Sequence, residues 1–176
     1  ISVGGIPNKL NISGKELAWT SDDIFNLDKF PKSLTIVGGG YIACEFACIF
    51  TNLGTQVTQV IRGHNLLSQF DVDLSSFLKE KMINSGINLI FNEEVKAINS
   101  SELGLEVSLK SGLSEITDNL LMATGRKPNL KNLNLDHIGI NMNGQFIKVD
   151  KFNQTNIPNI FAIGDVVDRV QLTPVA

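Results

Sequence analysis

Little in these 176 residues is available for disulfide, metal or nucleophile chemistry: there are two cysteines, two histidines, one tryptophan and one tyrosine. Cys44 and Cys48 are i,i+4 neighbours on an expected helix, which sets their Cβ atoms about 5–6 Å apart, whereas a disulfide needs roughly 3.5–4.5 Å. They read as buried structural thiols, with redox chemistry the second reading, and a reducing compartment such as the cytoplasm suits both. His64 stands without a neighbouring acid, and His137 follows Asp136 but with no cysteine or second histidine near it, so neither builds a Ser/His/Asp set or a metal cluster and no metal site is expected. Positive charge is also scarce: 15 Lys and Arg face 18 Asp and Glu, for a net charge of -3. That balance excludes nucleic acid as an expected partner. No long apolar run occurs. The longest uncharged stretch, residues 46–61, is interrupted by Asn52, Gly54, Gln56 and Gln59 and cannot span a bilayer. With 43% hydrophobic and 19% charged residues, the composition is that of a folded globular chain. It begins at Ile1 without an initiator Met or a basic leader, and so reads as a segment of something longer.

The clearest order begins at residue 34. Leu34, Thr35, Ile36 and Val37 form a short apolar run that meets Gly38-Gly39-Gly40 at once, the pattern of a buried strand entering a tight turn. Residues 41–53 carry one charge, Glu45, among apolar side chains and stop at Gly54; they predict a helix buried on most sides. Residues 56–61 are β-branched and apolar enough for a second strand. Asp71 or Asp73 caps a further helix with Leu74, Phe77, Leu78 and Met82 at helical spacing, ended by Gly86. Residues 87–91 return as a strand, 95–109 shift toward period 2 with a turn at Ser111-Gly112, and 120–123 make one more short strand. Alternating β and α followed by hairpins is the order of a Rossmann-like, nucleotide-binding α/β domain with an antiparallel β-meander.

The flanks differ. Residues 1–31 hold glycines, prolines and one short helical stretch near residues 21–27. Residues 126–176 are rich in Asn, Gly and Pro, and neither flank is expected to build a core. Val3-Gly4-Gly5-Ile6-Pro7 echoes Thr124-Gly125-Arg126-Lys127-Pro128, which fits either a related pair or two ordinary turns. Residues 160–165, ending in Gly164-Asp165, predict a buried strand whose Asp either accepts from a ribityl or ribose hydroxyl or caps a turn.

Gly38-x-Gly40-x-x-Ala43 lies directly after a strand and opens a helix, the setting in which glycines let backbone approach a pyrophosphate. The anion would meet unpaired amides and the positive end of the helix dipole. An acidic residue about 20 positions on would hold a ribose 2′-hydroxyl, but Arg62 stands there and suits a 2′-phosphate. NADP is therefore expected over NAD. Only three arginines accompany twelve lysines, at Arg62, Arg126 and Arg169, each near a glycine-containing turn. For Arg126 and Arg169 a solvated loop charge is the simpler reading. Glu45 either complements the helix dipole or faces the nicotinamide end, and Tyr41 either covers a ring or fills core.

Taken in order, Gly38-Gly39-Gly40-Tyr41-Ile42-Ala43-x-Glu45-Phe46-Ala47, Arg62, Phe70-Asp71, Ala123-Thr124-Gly125-Arg126-x-Pro128-Asn129, Ile163-Gly164-Asp165 and Leu172-Thr173-Pro174-Val175-Ala176 resemble the flavin-dependent pyridine nucleotide-disulfide oxidoreductases, nearest to their glutathione-disulfide reductase branch. The resemblance runs through nearly the whole chain. It implies an NADPH-binding domain at residues 32–125 inserted into strips of an FAD-binding domain at 1–31 and 126–176. NADPH contacts would fall on Gly38, Gly39, Gly40, Tyr41, Ile42, Glu45, Arg62 and Gly125, with Tyr41 moving aside for the nicotinamide. Asp165 and Thr173 would contact FAD. The family's second arginine, six residues after the first, is replaced by Ser68, which weakens phosphate discrimination by one charge-assisted bond unless His64 compensates. The implied reaction reduces glutathione disulfide in a homodimer, with the redox cysteine pair and histidine base outside this segment. The segment alone is thus expected to be inactive.

Overall fold

The structure, a computed structural model, describes residues 1–169 and divides into two compact units, residues 7–125 and residues 1–6 with those from 126 onward. In the first unit, β2 (Ser33–Val37), α1 (Tyr41–Asn52), β3 (Gln56–Ile61), α2 (Val72–Asn84) and β4 (Asn88–Phe91) follow in the expected alternation, with β1 (Gly5–Pro7) preceding them. An antiparallel sheet of β5 (Val95–Ser101), β6 (Gly104–Leu109) and β7 (Ser114–Thr117) leads into β8 (Asn119–Met122). The main sheet has the order β4-β3-β2-β8, and every pair in it is parallel. Its central strands are buried on both faces, which is why β3 reads Val57-Thr58-Gln59-Val60-Ile61 without apolar alternation.

Two cores separate along those faces. Leu34, Ile36, Val57 and Ile61 pack with Ala43, Ala47 and Phe50 of α1, and Met82 of α2 joins them. On the opposite face Val37, Val60, Leu120 and Met122 meet Val95, Ile98, Val107 and Leu109 of the meander. Burying a side chain such as Phe50, 1% exposed, contributes about 1.5–3 kcal/mol. Residues 7–31 add to both layers. Trp19 donates to the Leu120 carbonyl at 2.8 Å and accepts from Met122 at 2.9 Å, extending the edge beside β8.

The helices are less buried than their composition predicts. α1 hides Ala43, Cys44, Ala47 and Phe50, but Ile49 and Leu53 are 49% and 63% exposed. An α-helix lying on a sheet presents one stripe to it, and the remaining apolar residues of this chain face outward. In α2 the buried residues are Ser75 and Met82, while Leu74 and Phe77 are exposed. Ser75 is accommodated because its hydroxyl donates to the Leu66 carbonyl at 2.6 Å. Asp71 is the cap, accepting from the amides of Asp73 and Leu74. Gly54, at φ 94°, closes α1.

In the second unit β1 pairs with β9 (Arg126–Pro128), and β10 (Met142–Asn143) with β11 (Phe146–Ile147). The two echoing segments are thus ladder partners. Contrary to the compositional expectation, this flank has a small core of Leu135, Ile140, Ile147, Ala162, Val166 and Val167. The expected strand at 160–165 is also corrected. Phe161 makes one isolated bridge to Gln154, residues 160–163 bond only briefly to Ile1, Asn153 and Thr155, and Gly164–Val166 turns the chain into a 3-10 helix before a ladder can extend.

Glu93 ties the β4–β5 loop to the β6–β7 turn, accepting from the amides of Glu94 at 2.9 Å and Ser111 at 3.3 Å. A hydrogen bond from the Ser111 hydroxyl first, and then the bond from the Glu94 amide, hold its carboxyl below the ordinary glutamate range. Its folded-state value being lowered, its stabilising effect is complete above the unfolded-state value and is lost as pH falls through the folded one. Wild type and Glu93→Gln are expected to differ in unfolding free energy at neutral pH and to converge as the solution is acidified below the glutamate range. Urea titrations across that range test this, and a gap that persists undiminished at low pH contradicts it.

Candidate functional site

All strands of the parallel sheet end at one level, since Val37 is in register with Val60 on one side and Met122 on the other. The chain proceeds from β2 to β3 in one direction and returns at β8 on the other side, so the crevice beyond the carboxyl ends of β2 and β8 is a topological switch point. Gly38 sits there. Its amide donates to the Val60 carbonyl at 2.9 Å, and its φ is 136°. A Cβ at Gly38 would lie 2.3 Å from the Ala123 carbonyl oxygen, and one at Gly39 would lie 2.9 Å from Cγ2 of Ile61. Glycine is therefore required by close backbone approach at 38 and by side-chain packing at 39.

Gly40 is the residue before α1, and no side chain caps the helix. The first intrahelical bond runs from the Cys44 amide to the Gly40 carbonyl at 3.1 Å, which leaves the amides of Ile42 and Ala43 without intrahelical acceptors. The Gly39 carbonyl accepts from the Leu67 amide at 2.7 Å. Exposed Gly40 and half-buried Ile42 open this cradle to solvent, with Tyr41 and Glu45 exposed on the same helix.

Arg62 follows β3 directly, is exposed, and has no hydrogen-bond or ion-pair partner among the described residues. His64 and Ser68 are exposed in the same segment. Gly125, exposed at φ 103°, lies beyond β8 and gives its carbonyl to the Asn8 amide at 2.9 Å. The structure thus gathers Gly38, Gly39, Gly40, Tyr41, Ile42, Arg62 and Gly125 at the carboxyl end of one sheet, from three separate strand ends.

The second unit holds Asp165. Arg126 donates through Nη2 to the Gly5 carbonyl at 2.5 Å, and its Nε lies 3.7 Å from Oδ2 of Asp165. Both side chains are mostly buried, so Arg126 is not the solvated loop charge that its position suggested. A Cβ at Gly5 would lie 2.9 Å from Oδ2 of Asp165, so glycine there leaves room for the carboxylate. Arg169 likewise has a partner, donating to the Asp150 carbonyl at 3.0 Å. Thr173 lies outside the described residues.

Both thiols are free. Burial pushes Cys44 up to about 11 and raises Cys48 as well, so neither is a ready thiolate at neutral pH. Sequence reasoning missed Gln59. It is fully buried on β3, its Nε2 donating to the Gly38 carbonyl at 2.8 Å while its Oε1 has no partner among the described residues. Leaving that oxygen unpaired costs roughly 1–3 kcal/mol. The available signal was an amide in the interior of β3, flanked by Val57, Thr58, Val60 and Ile61, since such a buried group needs a partner.

The family model for pyridine nucleotide-disulphide oxidoreductases matches residues 1–176. The chain belongs to this family. It is 42% identical over 189 aligned residues to a glutathione reductase of Nostoc sp. (strain PCC 7120), covering all of this chain and 41% of that protein. It is 38% identical to a trypanothione reductase of Trypanosoma congolense, covering all of this chain and 37% of that one. Among solved structures, the HOCl-induced flavoprotein disulfide reductase RclA of Escherichia coli superposes with a TM-score of 0.92 at 31% identity, over 98% of this chain and 40% of that one. The chain thus spans about two fifths of the length of these relatives. Among the described residues no helix is long and apolar enough to cross a membrane.

Gly38→Ala is expected to destabilise the fold by about 1–3 kcal/mol for backbone strain alone, with the Ala123 contact adding to it. Gly40→Ala, whose Cβ meets nothing within 4 Å, should cost clearly less. Equilibrium unfolding midpoints at unchanged denaturant slope measure both; equal costs would refute the close-approach argument.

Proposed function

We propose that this chain supplies the coenzyme site and part of the flavin site of an NADPH-dependent flavoprotein disulfide reductase that acts on glutathione disulfide. In this reading residues 32–125, with residues 7–31 packed against their sheet, bind NADPH, and residues 1–6 and 126–176 contribute to the FAD-binding part. The observation that carries it is Arg62: an uncommitted guanidinium at the end of β3, beside a glycine turn that opens α1 with the Ile42 and Ala43 amides lacking intrahelical acceptors. A planar fork of donors fits a 2′-phosphate and gains little from a 2′-hydroxyl.

The residues present fit both groups. Gly38 and Gly39 keep clear the space that a Cβ would fill, and the first-turn amides of α1 and its dipole meet a pyrophosphate. Ile42, Glu45 and Gly125 line the approach, with Tyr41 covering the nicotinamide position. Asp165, fixed through Oδ2 by Arg126, offers its other oxygen to a ribityl hydroxyl of FAD, and Thr173 is assigned to the same group. When bound, NADPH supplies a hydride and the flavin accepts it, passing two electrons on to a disulfide. The redox cysteine pair and the histidine base belong to other parts of the full-length protein, which this reading takes to be a cytoplasmic homodimer. Kinship with glutathione reductases at 42% identity supports glutathione disulfide as substrate, and trypanothione reductases stand near enough that disulfide specificity requires direct comparison.

In the full-length protein Arg62→Leu is expected to weaken NADPH binding about ten- to a hundredfold and leave NADH binding unchanged, from the roughly 1.5–3 kcal/mol of a charged hydrogen bond. Coenzyme titrations of both proteins test it. Equal losses for the two coenzymes, or none for either, would remove the basis for NADPH, while turnover of trypanothione disulfide in preference to glutathione disulfide would move the substrate.

A further inference from the structure

We propose that Gln59 is a positioning residue for the coenzyme cradle: its buried amide draws the Gly38 carbonyl inward and so turns the Gly39 N–H outward toward the pyrophosphate. This rests on the coenzyme reading above, but only on its dinucleotide part. In a trans peptide the carbonyl and the following N–H point to opposite sides. Whatever fixes the Gly38 carbonyl therefore also aims the Gly39 amide.

Gln59 is in register with Ile36 of β2, on the helix-facing layer with Val57 and Ile61. It is 0% exposed, and its Nε2 lies 2.8 Å from the Gly38 oxygen and 3.9 Å from Sγ of Cys44. A carbonyl only accepts, so the nitrogen of the amide must be the atom facing it. The next peptide is held in the same manner, because the Leu67 amide binds the Gly39 carbonyl at 2.7 Å, which orients the Gly40 N–H. One donor per peptide thus sets two successive amides. The Leu67 donor is backbone and is retained under any substitution, whereas the Gln59 donor is a side chain that a Met or Leu would abolish.

Glycine at 38 makes this clamp necessary. At φ 136°, the Gly38 backbone occupies a region in which nothing in its own side chain restricts rotation of the following peptide. A hydrogen bond from the core substitutes for that restriction. The unpaired Oε1 is consistent with the same role, since an apolar side chain would fill this layer without leaving a buried polar atom unsatisfied.

The test uses the full-length flavoprotein with Gln59→Met, which keeps length and volume and removes the donor. Equilibrium binding of NADPH and of NADH is expected to weaken by a similar factor, roughly tenfold for the misdirected amide, because the pyrophosphate is common to both. Flavin content and the thermal midpoint should remain within error of wild type. Gln59→Asn, one methylene too short to reach Gly38, should show the same loss, and it serves if the Met protein is poorly folded. Unchanged coenzyme affinity in either folded variant overturns the proposal, as does a loss confined to NADPH, which would point to Arg62 instead. Failure of the coenzyme reading is distinct: there, wild type itself would show no preference for NADPH, while the paired loss on Gln59→Met would persist.

Discussion

The approach of Gly38 to the Ala123 carbonyl, within which no side chain fits, is the contact on which the arrangement of the site depends. It brings the end of β2 against the end of β8 at the place where strand order reverses. Parallel pairing then brings the end of β3 to the same level, and with it Arg62. The cradle, the cation and the Gly125 turn are far apart in sequence and share one rim because three strands stop together. A side chain at 38 would press on the Ala123 carbonyl and strain this junction.

Electrostatics divides the two units in different ways. In residues 7–125 the cation at the sheet's rim is uncommitted: Arg62 stands in solvent, where its charge costs little desolvation. In the other unit Arg126 and Asp165 are mostly buried and paired with each other, and Arg126 is also bound to the Gly5 carbonyl, so the guanidinium is fixed in direction. An uncommitted guanidinium in one unit and a carboxylate held by an arginine in the other are two different electrostatic arrangements. The thiols of Cys44 and Cys48 belong to neither, because burial keeps both protonated.

Much of this was legible beforehand where one physical cause acted locally. The strand at 34–37, the glycine turn, the helix stop at Gly54 and the Asp71 cap each follow from backbone preferences that neighbouring residues do not overrule. Burial was read less well. Composition made α1 seem surrounded, yet a helix against a sheet buries a stripe, and Ile49 and Leu53 lie off it. Residues 160–165 have the apolar content of a strand, but their bonds to Ile1 and to residues 153–155 are too few to make a continuous ladder, and content alone carries no information about neighbours. The flank rich in Asn and Gly nevertheless collects Leu135, Ile140, Ile147, Ala162, Val166 and Val167 into a core, because scattered apolar residues can converge in space without periodicity.

The sequence by itself determined the alternation of elements, the glycine-lined entry to α1 and the presence of an arginine where an acid would suit NAD, since these depend on spacing and side-chain chemistry alone. Only the tertiary structure decided that Arg126 pairs with Asp165, that Gly5 makes room for that carboxylate, and that Gln59 reaches the Gly38 carbonyl. Each of those joins residues 21 or more positions apart through a contact of a few ångströms. Long-range contacts depend on how layers stack, and no local preference encodes that distance.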